Sequence, residues 1–206
     1  MNQIIEKSPL LIFDLGNVIL NIDMQATLDA FRALGIDGVE NHVTQSHSVG
    51  GIFTLFEQGK ISPEEFCEHL RQIANISATN QQITSAWNAM IGPISLATVQ
   101  LIEQLKRHHT VVLLSNTNQL HFNYFDNMAQ GYSSLSDLFD KTWYSHEMHL
   151  SKPDKKIFET VLSYHGVAAQ QASFFDDSEA NIQSAQELGI NSFLVSKDKG
   201  GINQWF

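Results

Sequence analysis

The sequence predicts an α/β fold, a doubly wound parallel sheet with a helical cap inserted after the first strand. Three observations carry this expectation. Apolar bursts of strand length recur without polar alternation, as in strands covered on both faces. Helical repeats lie between them, as the crossovers of a parallel sheet require. One stretch, from about residue 22 to about residue 90, breaks the rhythm and carries helical patterns alone.

The elements follow in order. "LLIFDL" (10–15) is the first strand. Met24 to Leu34 reads as a helix, and Ile52 to Glu57 as another. "SPEEFCEHLRQIA" opens with Ser62 as N-cap, Pro63 in the first helical position and Glu65 placed to close a capping box. "NQQITSAWNAMI" ends the insertion. "LATVQLIEQLKRH" sets Leu96, Val99, Ile102 and Leu105 on one helical face. "TVVLLSN" (110–116) is a strand and "KTWYS" (141–145) a weaker one. "PDKKIFETVLSYHG" carries Ile157, Val161 and Leu162 and stops at Gly166; "SEANIQSAQELG" stops at Gly189. Both glycines suit helix C-termini. "ASFFDD" (172–177) and "SFLVS" (192–196) complete a Rossmann-like sheet. The expected division is a core of residues 1–21 and 91–206 and a cap of residues 22–90. Such a cap stands over the C-terminal edge of the sheet, where open α/β sheets bind ligands.

Composition narrows the function. The 206 residues are 43% hydrophobic and 17% charged, which fits one globular domain with an insertion. A formal net charge of -10 repels phosphate backbones, so no nucleic-acid partner is expected. An anionic substrate would need local positive charge or a metal. The single cysteine, Cys67, forbids an internal disulfide and points to a reducing compartment. It reads as a half-buried structural thiol on an amphipathic helix. No signal-peptide layout opens the chain and no apolar run approaches the ~20 residues that span a bilayer. A cytoplasmic protein without a membrane partner is expected, as a monomer or weak homodimer.

The chemical residues collect at strand ends. Strand one delivers Asp14, "VVLLSN" delivers Ser115 and Asn116, "FFDD" delivers Asp176 and Asp177, and Lys152 follows the weaker strand. Ser, Asn and Asp in such places are ordinarily helix N-caps. Four strand ends bearing them on one rim exceed what capping explains. Three clustered carboxylates repel one another unless a divalent cation joins them, and oxygen ligands without thiolates favour Mg²⁺. A hydroxyl, an amide and a lysine supply donors for phosphoryl oxygens. Asp14 remains as the nucleophile, since carboxylates form aspartyl-phosphates.

"DLGNVIL", "LLSNTN", "SKPD" and "FFDDSEAN" resemble the four motifs of the haloacid dehalogenase-like hydrolases. The similarity is closest to YihX-type sugar phosphatases and the N-terminal phosphatase domain of soluble epoxide hydrolases, and covers nearly the whole chain. The resemblance implies that Asp14 is the nucleophile and that Ser115 and Asn116 bind the phosphoryl group. Lys152 screens the anions, Asp177 ligates Mg²⁺ directly, and Asp176 acts beside it. It also implies that the Gly16 carbonyl ligates Mg²⁺. Most phosphatases of the superfamily carry an aspartate at that position, which protonates the leaving group and then activates water. Glycine keeps the carbonyl and permits unusual backbone angles, but deletes the acid. General acid–base help is worth ~10²–10⁴-fold, and its loss costs least with a good leaving group. A small sugar phosphate such as a hexose 1-phosphate is therefore the expected substrate.

Other readings stay open on the sequence. A metal-independent 2-haloacid dehalogenase also lacks the second acid, but has no use for Asp176-Asp177. A decayed binding or regulatory module would explain Gly16, but not Asp14, Lys152 and Asp177 together. Asp23 at the cap hinge, or another cap residue, could replace the acid, although a cap or hinge role is the ordinary one for Asp23. His146, Glu147 and His149 have the spacing of a partial zinc site, yet no further ligand is placed. His149 stands three residues before Lys152, where relatives often have glycine. His121 reads as a helix-start residue near the phosphate site. Trp87, Trp143 and Trp205 read as packing, with a cap aromatic able to stack on a sugar ring.

Overall fold

The computed structural model describes residues 3–36, 51–196 and 201–206. A short helix α1 (Gln3–Glu6) leads into β1 (Leu10–Phe13). β2 (Leu20–Ile22) opens the insertion, followed by α2 (Met24–Ala33), α3 (Ile52–Glu57), α4 (Pro63–Ala74) and α5 (Asn80–Asn88). β3 (Ile91–Ile94) closes it. The chain continues through α6 (Leu96–Leu105), β4 (Thr110–Ser115), α7 (Gln119–Phe125), α8 (Leu135–Leu138), β5 (Lys141–Tyr144) and α9 (Ser145–Met148). It ends with α10 (Lys155–His165), β6 (Ala172–Asp176), α11 (Glu179–Glu187) and β7 (Asn191–Leu194).

The main sheet has five parallel strands in the order β5-β4-β1-β6-β7. β1 shows why its apolar run does not alternate. Leu11 and Phe13 join Val111, Leu113 and Phe175 in one core cluster. Leu10 and Ile12 join Val112, Leu114 and Phe174 in another on the opposite face. All four β1 side chains are buried, each contributing about 1.5–3 kcal/mol of transfer free energy. The chain leaves β1 for β4 and β5 on one side and returns to β6 and β7 on the other. The switch point therefore lies at the end of β1, beside Asp14.

The expected strands form with C-terminal ends one or two residues shorter. Asn116 and Asp177 lie just past their strands rather than inside them. The Ser62 capping box forms: Ser62 N–H donates to Glu65 Oε2 at 2.8 Å, and Glu65 N–H to Ser62 Oγ at 3.2 Å. Cys67 is 1% exposed, fully rather than half buried, and burial raises its thiol pKa.

Sequence patterns gave no sign of the antiparallel ribbon of β2 and β3, which flanks the helical insertion. β2 spans three residues, and β3 contains Gly92 and Pro93, which weaken any strand pattern. The ribbon continues at Asp23, whose N–H donates to Met90 O at 2.8 Å. Residues 37–50 of the expected cap lie outside the described residues. The described cap helices share an aromatic cluster: Phe56 stacks on Phe66 at 4.3 Å, and Trp87 packs on Phe31, Phe53 and Phe66. Trp87 also stacks on His121 of α7 at 4.7 Å. Trp143 meets Tyr164 edge-on, and Trp205 packs against Phe193.

Candidate active site

The polar residues of the strand ends converge at the switch point. Asp14 N–H donates to Phe175 O at 2.9 Å, extending the ladder between β1 and β6 and bringing Asp14 beside Asp176. Lys152 Nζ lies between them, 2.7 Å from Asp14 Oδ1 and 2.6 Å from Asp176 Oδ2. The lysine is 4% exposed and Asp176 0%. A buried cation between two carboxylates is stabilised by both, which offsets much of its desolvation. Burial alone would lower the Lys152 pKa; contact with Asp14 and Asp176 overcomes that and raises it. Burial raises the Asp14 carboxyl to about 7, with Lys152 pulling it down and Asp176 pushing it up.

Asn116 holds the lysine loop in place. Its Nδ2 donates to Lys152 O and its Oδ1 accepts from Lys152 N–H, both at 2.8 Å. The side-chain amide is thus committed to positioning Lys152. The Ser115 hydroxyl makes one long contact, 3.4 Å to Asn116 O, so it keeps capacity for a ligand.

The two acids at the end of β6 differ. Asp176 accepts from Lys152 Nζ, from Ser178 N–H at 2.8 Å and from Asn181 Nδ2 at 3.0 and 3.1 Å. That fills the roughly four acceptor sites of a carboxylate. Asp177 is exposed and accepts from Asn17 Nδ2 at 2.8 Å. It caps no helix; the N-cap of α11 is Ser178.

One oxygen each of Asp14, Asp176 and Asp177 lies within 4.8 Å of the others. Among the described residues this is the one group of three candidate metal-ligating side chains. Its oxygen-only donors fit Mg²⁺. Asp14 and Asp177 retain open acceptor positions, whereas Asp176 is occupied. His149 faces the cap instead: its Nδ1 is 2.8 Å from Gln58 O, and its backbone is left-handed, with φ 57°. That conformation explains why glycine suits the position.

Gly16 needs a different explanation from unusual backbone angles. Its φ is not positive; Asn17 carries the left-handed turn, with φ 55°. The space beside it is tight. A Cβ on Gly16 would stand 3.2 Å from Ile22 Cγ1. Asp23 is not a spare acid: its Oδ1 caps α2, accepting from Gln25 N–H at 3.1 Å and Ala26 N–H at 3.3 Å.

A cavity of about 270 Å³ opens onto this cluster. Asp14, Gly16, Ser115, Asn116, Lys152 and Asp177 line its polar floor. Phe53, Trp87, Met90 and Phe125 supply apolar walls, and Glu57 and His121 also line it. His121 is half-buried, and burial lowers its pKa to about 4. Sequence reading missed Asn17, Asn181 and Glu57. Asn17 and Asn181 lie within the quoted "DLGNVIL" and "FFDDSEAN"; Glu57 gains its place only through tertiary packing.

The haloacid dehalogenase-like hydrolase family matches residues 11–195. D-ribitol-5-phosphate phosphatase of Bacteroides thetaiotaomicron is 30% identical over 187 residues, covering 89% of each chain. A sesquiterpene phosphatase of Aspergillus oryzae is 28% identical, over 87% of this chain and 85% of its own. A crystal structure of a family enzyme from Bacteroides thetaiotaomicron, in complex with magnesium and inorganic phosphate, superposes with a TM-score of 0.85 at 33% identity. It covers 92% of this chain and 94% of its own. With the fold, the four motifs and the convergent site in agreement, the chain belongs to the haloacid dehalogenase-like hydrolase family.

Proposed function

We propose that the chain is a Mg²⁺-dependent phosphomonoester hydrolase working through an aspartyl-phosphate at Asp14. The observation that carries this reading is the Asp14–Lys152–Asp176 arrangement, with Asp14 and Lys152 on the floor of a cavity and Asp177 and Ser115 beside them. Asp14 attacks phosphorus and the ester oxygen departs; water then attacks the acyl phosphate and releases phosphate. Lys152 offsets negative charge at the nucleophile. Ser115 donates to a phosphoryl oxygen, and Asn116 sets the lysine loop at hydrogen-bond length. Asp14, Asp177 and the Gly16 carbonyl would hold Mg²⁺, with Asp176 fixing Lys152 beside them. When bound, the ion supplies charge neutralisation on the phosphoryl oxygens. Positioning and charge neutralisation are most of what phosphoryl transfer needs.

The substrate class we favour is a small sugar or polyol phosphate, with a hexose 1-phosphate as its most easily departing member. The similarity to a D-ribitol-5-phosphate phosphatase supports the class. The cavity suits a small metabolite, and its apolar walls can pack against a sugar face. Helices α2 to α5 act as the cap that encloses it. Among the described residues, no helix is long and apolar enough to cross a membrane.

A phosphomonoester panel tests this. Purified protein should hydrolyse p-nitrophenyl phosphate and sugar phosphates with Mg²⁺, and EDTA should remove at least about 10²-fold of the rate, reversibly. Equal rates in EDTA, or turnover of 2-haloacids instead, would favour the metal-free dehalogenase reading. A protein inert on the whole panel would support a binding module.

A further inference from the structure

We infer that Glu57, on the cap helix α3, is the general acid and base that position 16 no longer supplies. This rests on the phosphatase reading and identifies the group that protonates its leaving oxygen. Three observations carry it. Glu57 lines the same cavity as Asp14 and Lys152. Its carboxyl makes no hydrogen bond or ion pair among the described residues, whereas Asp23 is spent on a cap and Asp176 on Lys152. And its backbone is fastened to the core loops of the site.

That fastening is specific. Ser145 Oγ lies 2.6 Å from Glu57 O and 2.9 Å from Thr117 O, and also accepts from Thr117 N–H at 2.9 Å. The serine therefore ties Glu57 to the loop after Ser115 and Asn116. One residue on, Gln58 O faces His149 Nδ1 at 2.8 Å, and Gln58 Nε2 donates to Ser151 Oγ at 2.9 Å. Gly59 follows with φ 60°, where a Cβ would collide with the carbonyl of His146. The C-terminal end of α3 is seated on the loop that carries Lys152. A cap residue held this way keeps its place relative to the reacting atoms, as an acid catalyst must.

The surroundings suit the task. Asp14, Lys152, Asp177 and His121 share the cavity, His146 lies on α9 and His149 at its C-terminal end, and Cys67 of α4 is in the same hydrophobic core. None of them bonds to the Glu57 carboxyl. Glu57 is half-buried, and burial raises its carboxyl to about 7. A carboxylic acid poised there can give a proton and take one back at neutral pH.

The proton balance closes. As Asp14 Oδ bonds to phosphorus, the P–O ester bond breaks and the departing oxygen takes the Glu57 proton, leaving as the alcohol. The Glu57 carboxylate then removes a proton from water as the water oxygen bonds to phosphorus. The bond between phosphorus and Asp14 breaks, phosphate leaves, and Glu57 is protonated again.

Substituted phenyl phosphates test this, because they vary the leaving group without hydroxyls that a carboxylate could merely recognise. kcat/KM with Mg²⁺ should vary little from p-nitrophenyl to phenyl phosphate in the wild type. In Glu57→Gln it should fall about 10²-fold or more on phenyl phosphate and less than about tenfold on p-nitrophenyl phosphate. Retained p-nitrophenyl phosphate turnover also shows that the variant folds. Equal losses across the series, or a rise in KM alone, would overturn the assignment of Glu57 while leaving the phosphatase reading intact. A wild type inert on every ester would overturn both.

Discussion

Asp14→Asn is expected to abolish p-nitrophenyl phosphate hydrolysis, with a loss on the order of 10⁴-fold or more. The amide is nearly isosteric, so the fold should survive. It is a far poorer nucleophile, and no second group replaces it at the tip of β1. The same change removes a charge that Lys152 contacts at 2.7 Å, but Asp176 still faces that lysine at 2.6 Å. The buried cation therefore keeps one partner, and stability should change much less than activity. Steady-state rates beside a denaturant titration check this. A variant retaining more than a few per cent of wild-type turnover would exclude Asp14 as the attacking group.

Lys152→Met should remove both activity and stability. It leaves Asp14 and Asp176 buried together without their shared counter-charge. Breaking a buried pair of this kind costs about 3–5 kcal/mol. The sign with pH is informative. The two carboxylates then repel, so in the folded variant one of them holds its proton at higher pH than in the unfolded chain. The stability deficit should therefore be largest at neutral pH and shrink as pH falls through the raised carboxyl pKa. Unfolding midpoints of variant and wild type at neutral and mildly acidic pH measure this. A deficit independent of pH would mean that lost packing, and not charge, explains the damage.

The sheet was legible because its signals are local. Continuous apolar runs such as Leu10–Phe13 announce strands buried on both faces, and Ser62-Pro63 with Glu65 announces a helix start. The site was legible for the same reason, since Asp14, Ser115, Asp176 and Asp177 stand at the ends of those runs. The β2–β3 ribbon was not, because its stability comes from pairing residues about 70 positions apart through Leu20 and Ile94. The division of labour between the adjacent acids came from the family resemblance and not from the local pattern. It depends on Asn181 filling Asp176 and on Asn17 reaching Asp177. Glu57 was read only as the end of a helix, and its chemistry follows from what α3 packs against. Gly16, read as a gap in an acid pair, is a position whose side-chain space Ile22 crowds.

The stereochemical course at phosphorus tests the aspartyl-phosphate most directly. Two successive in-line displacements, first by Asp14 and then by water, each invert the phosphorus centre. Hydrolysis with Mg²⁺, in isotope-labelled water, of a phosphorothioate monoester made chiral with a second oxygen isotope should therefore give chiral thiophosphate with net retention. Net inversion would show a single direct attack by water and contradict a covalent intermediate on Asp14.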